Sequence, residues 1–368
     1  MVIFDKSTYC NLNDFGILVP MCASRPEMII KTLQQHNSLF PILDLKEAKK
    51  LIGLSNEEMS ITREDLERVH DKKYIAKLYN DPKSVILRAY EIINEDGNMQ
   101  NIDENEKKPA TDYSRYDPSK AVRPIEDIFT SSINRVEGCY LTALLAMSQK
   151  CMPIKNFCYF LEGGAHHTRY DAPSGFGFLN DMLITSQKLI HGCHAQLIWI
   201  VDVDAHKGDG TAEMIKFSRD MGSTFVGRNP EIIALSTHMA HGWPLDAESL
   251  AKAVPGRAPL VPSDIDIPID VGQEGEFCSR LEKGLLLLEE KSGGRKPDLV
   301  IIDDGMDVYE KDELPSTSLI NLSLDQCMQR SKLLFSFFAG RKIPSAWYMA
   351  GGYGDKVWEP TAKFLLSL

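Results

Sequence analysis

The feature that most restricts what this chain can fold into is a set of short, almost wholly apolar runs, most of which stop abruptly at acids, histidines or glycines. They are "FGILVP" (15–20), "FCYFLEGG" (157–164), "QLIWIVDVD" (196–204), "EIIALSTH" (231–238), "DLVIIDDG" (298–305) and "SAWYMAGG" (345–352). Runs of this length, rich in Val, Ile and Leu, read as strands buried on both faces, the pattern of a parallel sheet. Helical patterns separate them. Residues 128–150 and 276–290 carry apolar side chains at three- and four-residue spacing. Residues 323–340 open with Ser323 and Gln326 at capping-box spacing and close on Gly340, read as the C′ residue. Strands alternating with helices predict an α/β fold with helices on both faces of a parallel sheet. No repeat or low-complexity linker divides the 368 residues, so one domain spanning 1–368 is expected. The segment 94–126 is polar and poor in apolar residues, and reads as a long loop insertion on the surface.

Charge and cysteine usage exclude several function classes. The net charge of −11 argues against direct nucleic-acid binding, which needs clustered Lys and Arg. It suits a cationic substrate, although it also serves plain solubility. No apolar stretch approaches the roughly 18–20 residues that span a bilayer, and the N-terminal residues lack the pattern of a secretory signal. The eight cysteines are scattered and form no C-x-x-C pair, which fits reduced thiols better than a disulfide framework or a cysteine zinc site. A cytoplasmic protein without a membrane partner is the expectation.

The chemistry gathers where the strands end. "DVDAHKGDG" supplies Asp202, Asp204, His206 and Asp209; "DDGMD" supplies Asp303, Asp304 and Asp307; "AGGYG" supplies Tyr353; "EGGAHH" supplies His166 and His167. In open parallel sheets, ligands bind beyond the carboxyl ends of the strands. Asp204 and His206, two apart on extended chain, share a side, and Asp307 from a neighbouring strand end would complete a three-ligand site with one position open. That is the layout of a catalytic zinc, which lowers the pKa of water to about 7. The paired imidazoles suit proton transfer, and the phenol of Tyr353 suits an oxyanion. Bland readings stand beside these: Asp209 as a helix N-cap, Asp307 as a turn residue, Tyr353 as a turn aromatic and His70 as helix packing. His191 and His194 show metal-like spacing without a carboxylate and read as structural or surface residues, while His238 and His241 border the pocket without assigned chemistry.

Together, "GGAHHTRYDAPSGFGFLND", "VDVDAHKGDGT", "DDGMDVYEKDEL" and "AGGYG" resemble the histone deacetylase family, which includes acetylpolyamine and acetoin-utilisation relatives, in order and spacing over roughly residues 15–365. The resemblance implies an arginase/deacetylase-like fold, a three-layer α/β/α sandwich around a mostly parallel eight-stranded sheet. It implies hydrolysis of acyl-lysine in proteins or peptides, or of acylated polyamines, with one Zn2+ per chain held by Asp204, His206 and Asp307. It makes His167 the proton shuttle and pairs Asp202 with His166 and Asp209 with His167. Tyr353 would polarise the carbonyl. Gly175, Phe176, Trp243, Leu314, Gly351 and Gly352 would contact substrate, and Arg25 would lie in a cavity beneath the metal. A K+ site near Asp202, Asp204, His206 and Ser236 is also implied. Three features depart from the family: Lys207 replaces a common histidine, Asp304 replaces a small or apolar residue, and 94–126 stands where relatives carry a mouth loop. An arginase-type dimanganese ureohydrolase is disfavoured by the spacing of "DDGMDVYEKD", and a silent acyl-lysine binder by the presence of every residue the chemistry needs.

Overall fold

The computed structural model describes residues 1–368 apart from 20, 37, 39, 95, 98–114, 149–153, 221–230 and 246–259. Eight strands form one sheet: β1 (Val2–Ile3), β2 (Ile42–Leu43), β3 (Phe157–Phe160), β4 (Leu197–Asp202), β5 (Glu231–Met239), β6 (Ile265–Ile269), β7 (Leu299–Asp303) and β8 (Ser345–Tyr348). Their order is β2-β1-β3-β8-β7-β4-β5-β6, and every pairing is parallel. One half of the sheet grows from β3 toward β2 and the other from β4 toward β6, with β7 and β8 between them. The carboxyl ends of β3, β8, β7 and β4 therefore lie side by side, at the kind of topological switch where such sheets bind ligands.

The central strands are apolar on both faces because each face meets a different core. Ile198, Ile200, Leu299, Ile301, Cys158, Phe160, Ala346 and Tyr348 enter one core, and Trp199, Val201, Val300, Ile302, Phe157, Tyr159 and Trp347 enter the other. The first core is shared with α2 (Leu45–Ile52), α3 (Asn56–Met59), α4 (Arg63–Glu67), α5 (Lys72–Asn80), α6 (Pro82–Ala89), α7 (Asp127–Met147), α8 (Asp181–His191) and α9 (Asp209–Asp220). The second is shared with α1 (Arg25–Gln35), α10 (Phe277–Lys291), α11 (Leu324–Gly340) and α12 (Trp358–Leu366). Period-two alternation between two dry layers erases the polar positions that would otherwise mark a strand.

Five of the six runs read as strands lie in the sheet; "FGILVP" does not. Leu12–Phe15 is a 3-10 turn ended by Gly16 at φ 74°, and Ile17 makes an isolated antiparallel bridge to Tyr116. Its side chains are apolar because Phe15 and Ile17 are fully buried in irregular backbone. The described end of the 94–126 insertion covers this run: Arg123 stacks over Phe15 at 4.9 Å, and Asp117 N–H donates to the Gly16 carbonyl at 2.8 Å. Residues 95 and 98–114 of that insertion lie outside the described residues. At α11 the Ser323–Gln326 capping box forms, but Gly340 is the last helical residue, and the left-handed residue beyond it is Lys342 at φ 55°. β6 reads "IDIPI"; its Pro268 is tolerated because the strand pairs only with β5 at the sheet edge.

His70 is more than helix packing. It is buried, its Nδ1 lies 3.0 Å from the Arg169 carbonyl, and its Nε2 accepts from Asn180 N–H at 3.1 Å. That pattern needs the neutral ring with its proton on Nδ1. Burial, opposed by the Tyr170 and Arg169 carbonyls, lowers its pKa to about 4. The unfolded chain then binds the proton first as pH falls below the ordinary value of about 6.5, so stability is lost between there and about 4. Equilibrium denaturation across that range should show a loss of roughly 3 kcal/mol that His70→Gln largely abolishes. Gly138 of α7 faces Phe160, and an added Cβ would come 2.8 Å from two carbons of that ring. Although alanine favours helix by about 1 kcal/mol, Gly138→Ala should lower stability by about 1–3 kcal/mol, read by the same denaturation.

Candidate active site

β3 leads through Gly163 and Gly164, both at positive φ, into His166 and His167, whose ring centroids stand 3.9 Å apart. Each ring is oriented by one carboxylate: His166 Nδ1 is 2.8 Å from Asp202 Oδ2, and His167 Nδ1 is 2.7 Å from Asp209 Oδ1. Asp209, the first residue of α9, is in turn held by Arg169, which also pairs with Glu213.

The two imidazoles live in different fields. Burial opposes the charged form of both. Around His166 the carboxylates of Asp202, Asp204 and Asp303 outweigh it and raise its pKa well above the usual value. At His167 burial and the neighbouring His166 charge prevail over Asp209, and its pKa falls to about 3. His167 is therefore neutral at neutral pH, with its Nδ1–H directed at Asp209.

Beyond β4 and β7, Asp204, His206 and Asp307 converge. His206 Nδ1 is 3.2 Å from Asp204 Oδ1 and 3.1 Å from Asp307 Oδ2, and donor atoms of all three residues lie within 4.8 Å of one another. Tetrahedral metal–ligand bonds of about 2.0–2.2 Å place donors about 3.3–3.6 Å apart, so this set closes around one small dication with little adjustment. The bare cluster also calls for positive charge. Burial works against the imidazolium, yet the hydrogen bonds and charges of Asp204 and Asp307 raise His206 to about 9. Burial and Asp204 push Asp307 up. Gly351 N–H donates to Asp204 Oδ2 at 3.2 Å, Ala205 N–H to Asp307 Oδ1 at 3.0 Å, and His206 Nε2 meets Ser316 Oγ at 3.1 Å.

The remaining site candidates surround this cluster to different degrees. Tyr353 follows β8, its N–H donating to Asp312 Oδ2 at 2.7 Å, and its ring lies 5.9 Å from Phe176. Burial, then Asp307 and Asp204, raises the phenol well above its usual range, so it stays a donor. Phe176 sits at φ 63° between Tyr90 and Tyr353, and Gly175 abuts the His167 ring so closely that a Cβ would overlap it. Trp243 packs 4.3 Å from His167 and 5.2 Å from His206. Leu314 N–H donates to Asp312 Oδ1 at 2.9 Å, which ties Leu314 to the Tyr353 anchor. Gly351 and Gly352 leave no room for side chains: a Cβ would come 2.8 Å from the Asp307 carboxylate at the first and 2.6 Å from Arg25 at the second. Arg25 is buried and donates to the Ala350 and Gly351 carbonyls at 2.7 and 2.9 Å. Ser236, paired in register with Asp202, keeps a buried hydroxyl without a hydrogen-bond partner, as an oxygen facing a cation would. His191, His194 and His241 lie at or near the surface away from the cluster. His238 is buried, with Nδ1 2.8 Å from the Met239 carbonyl.

Three contributors escaped the sequence reading, and a fourth, Asp303, was named at its strand end without a role. Asp303 is fully buried with both oxygens unpartnered, Oδ2 being 3.8 Å from His166 Nδ1. Arg169 braces Asp209, and Asp312 anchors Tyr353. Arg330, fully buried on α11, donates to the carbonyls of Val203 at 2.9 Å and Gly305 at 2.7 Å and to Asp304 Oδ1 at 2.7 Å. Asp304 thus departs from the family because a guanidinium, with the Tyr159 hydroxyl at 2.8 Å, receives it. The available signal was an arginine on the apolar face of a helix. Lys207, the other departure, is buried against Asp266 and the Ser263 hydroxyl.

Known proteins share the sequence pattern and the fold. A family model describing the histone deacetylase domain matches residues 19–367. An uncharacterized protein of Picosynechococcus is 27% identical over 226 residues, 61% of this chain and 64% of that protein. The acetoin utilization protein AcuC of Staphylococcus aureus is 30% identical over 223 residues, 61% of this chain and 51% of that protein. The matched stretch thus spans between half and two thirds of these relatives. The crystal structure of an acetylpolyamine aminohydrolase from Burkholderia pseudomallei superimposes with a TM-score of 0.61 at 17% identity, covering 99% of this chain and 97% of that one. Its likeness establishes the fold. A match across nearly the whole length, on a sheet whose strand ends gather these acids, histidines and tyrosine, shows that the chain belongs to the histone deacetylase family.

Proposed function

We propose that residues 1–368 act as one catalytic domain, a zinc-dependent amidohydrolase that removes acetyl or another acyl group from lysine side chains or from acylated small amines. The observation that carries this reading is the convergence of Asp204, His206 and Asp307 beside one neutral and one charged imidazole and a protonated phenol. A zinc ion held by those three residues supplies Lewis acidity to the amide carbonyl and to water. His167, its tautomer set by Asp209, takes a proton from the attacking water at Nε2 and delivers it to the departing amine. His166 keeps positive charge beside the reacting atoms. Tyr353 donates to the carbonyl oxygen as negative charge grows there, its backbone fixed by Asp312. K+ beside Asp202, with Ser236 and the backbone of Asp204 and His206 as ligands, would steady the loop that bears two of the zinc ligands. The net charge of −11 favours a cationic substrate, so an acetylated polyamine stands beside acyl-lysine.

Two experiments test the mechanism. Tyr353→Phe should lower kcat by roughly 10²–10³ on a fluorogenic acetyl-lysine peptide or acetylspermidine while bound zinc is unchanged; a loss below about tenfold would remove the phenol from the chemistry. Metal analysis should find about one zinc per chain, lost in Asp307→Asn together with turnover. Two manganese ions would point instead to a ureohydrolase.

A further inference from the structure

Beside the catalytic residues lies a space that shares Gly175, Phe176, Gly351, Gly352 and Tyr353 with the site above and continues past them to Tyr9, Cys10 and Cys22. It has a volume of about 110 Å³, and its lining includes Arg25, Arg135, Glu162, Ala165, Phe176 and Tyr353. One enclosed water needs about 10–15 Å³, so this chamber holds considerably more than the methyl of an acetyl group. It begins at the reacting atoms, since Tyr353 and Ala165, the residue before His166, form part of its wall. Trp243 and Leu314, which stand by the metal cluster, do not line it.

The chamber carries an excess of buried cationic hydrogen-bond donors. Arg25 is 4% exposed; its Nη1 is used by two carbonyls, but its Nε and Nη2 have no hydrogen-bond partner. Arg135, from α7, donates from Nη2 to Ser132 Oγ at 3.2 Å and has an unpartnered Nε. The carboxylate of Glu162 stands 4.0 Å from that Nε, beyond hydrogen-bond reach. Burial raises Glu162 to about 7 despite both arginines, so it cancels only part of one charge at neutral pH. Asp181, the next carboxylate, accepts from the backbone N–H groups of Gly164 and Ala165. Guanidinium N–H groups that no protein atom meets are left to water or to an anion entering the chamber, and a planar fork suits a carboxylate best. The same charges repel the amine of the substrate, so the acyl end is the part that enters.

We propose that this chamber receives the acyl chain and selects acyl groups ending in a carboxylate, of which succinyl is the representative size, with Arg135 and the free edge of Arg25 binding the distal carboxylate. This rests on the amidohydrolase reading. Water adds its oxygen to the acyl carbon, the C–N bond breaks, the amine leaves protonated, and the acid product is a dicarboxylate.

The test compares kcat/KM for succinyl-, butyryl- and acetyl-lysine peptides and, separately from turnover, calorimetric binding of succinate and butyrate to the zinc-loaded protein. Butyryl matches succinyl in carbon count and lacks only the charge. Succinyl should exceed butyryl by roughly tenfold or more, the scale of one charge-assisted hydrogen bond. Arg135→Met should collapse that ratio through KM, Arg135→Lys should restore part of it, and Glu162→Gln should widen it. Succinate should bind more tightly than butyrate in the wild type and not in Arg135→Met. A wild-type ratio near one, equal loss on all three peptides in Arg135→Met, or equal binding of the two acids would overturn the proposal. Arg135-dependent succinate binding in a protein that hydrolyses no acylated amine would uphold the chamber's carboxylate selectivity and refute the amidohydrolase reading instead.

Discussion

Repulsion among buried carboxylates is the constraint from which the rest of this structure follows. Asp202, Asp204, Asp303 and Asp307 are each at most 3% exposed and meet at the ends of two adjacent strands. Such groups cannot all ionise in a low-dielectric interior unless positive charge is placed among them. Part of the response is built into the chain: His166 and His206 are driven toward the charged form. The remainder calls for a dication on the Asp204–His206–Asp307 side. The cost of burying acids and the fitness of this cluster for a metal thus have one origin, since a cation bound there would relieve the repulsion.

The same field divides labour between two chemically identical neighbours. His166 and His167 are adjacent and equally buried, and each is hydrogen-bonded to one aspartate. They differ in what stands behind that aspartate. Asp202 shares its surroundings with further carboxylates, whereas Asp209 is neutralised by Arg169. One ring is therefore driven toward the charged form by the carboxylates around it, and the other away from it by burial and by the charge of its neighbour.

Much of this was legible in the chain. Five buried strands and three long helices announced themselves by length and periodicity, and the acids, imidazoles and phenol stood at strand ends where the sheet was bound to gather them. What was missed failed for physical reasons. Val2–Ile3 and Ile42–Leu43 are too short to show any period. Residues 15–20 look like a strand because burial, which the composition reports, is not the same as extended pairing, which it does not. Ile265–Ile269 hides behind an edge proline. Arg169 and Asp312 act across long sequence separations, where nothing local distinguishes a buried charge with a partner from a solvated one; Arg330 left only its place on the apolar face of a helix.

Arg330 shows where the tolerance of the site lies. One guanidinium on a helix beneath the sheet bolts together the turn after β4 and the turn after β7, so the spacing of the ion-binding side chains is inherited from the scaffold's underside. The outer wall answers to a different anchor, Asp312, which joins the Tyr353 turn to the Leu314 segment. Base and rim nevertheless touch at two points, Gly351 N–H on Asp204 Oδ2 and Ser316 Oγ at His206 Nε2. A change that moves the entrance therefore reaches the cluster below through these two bonds.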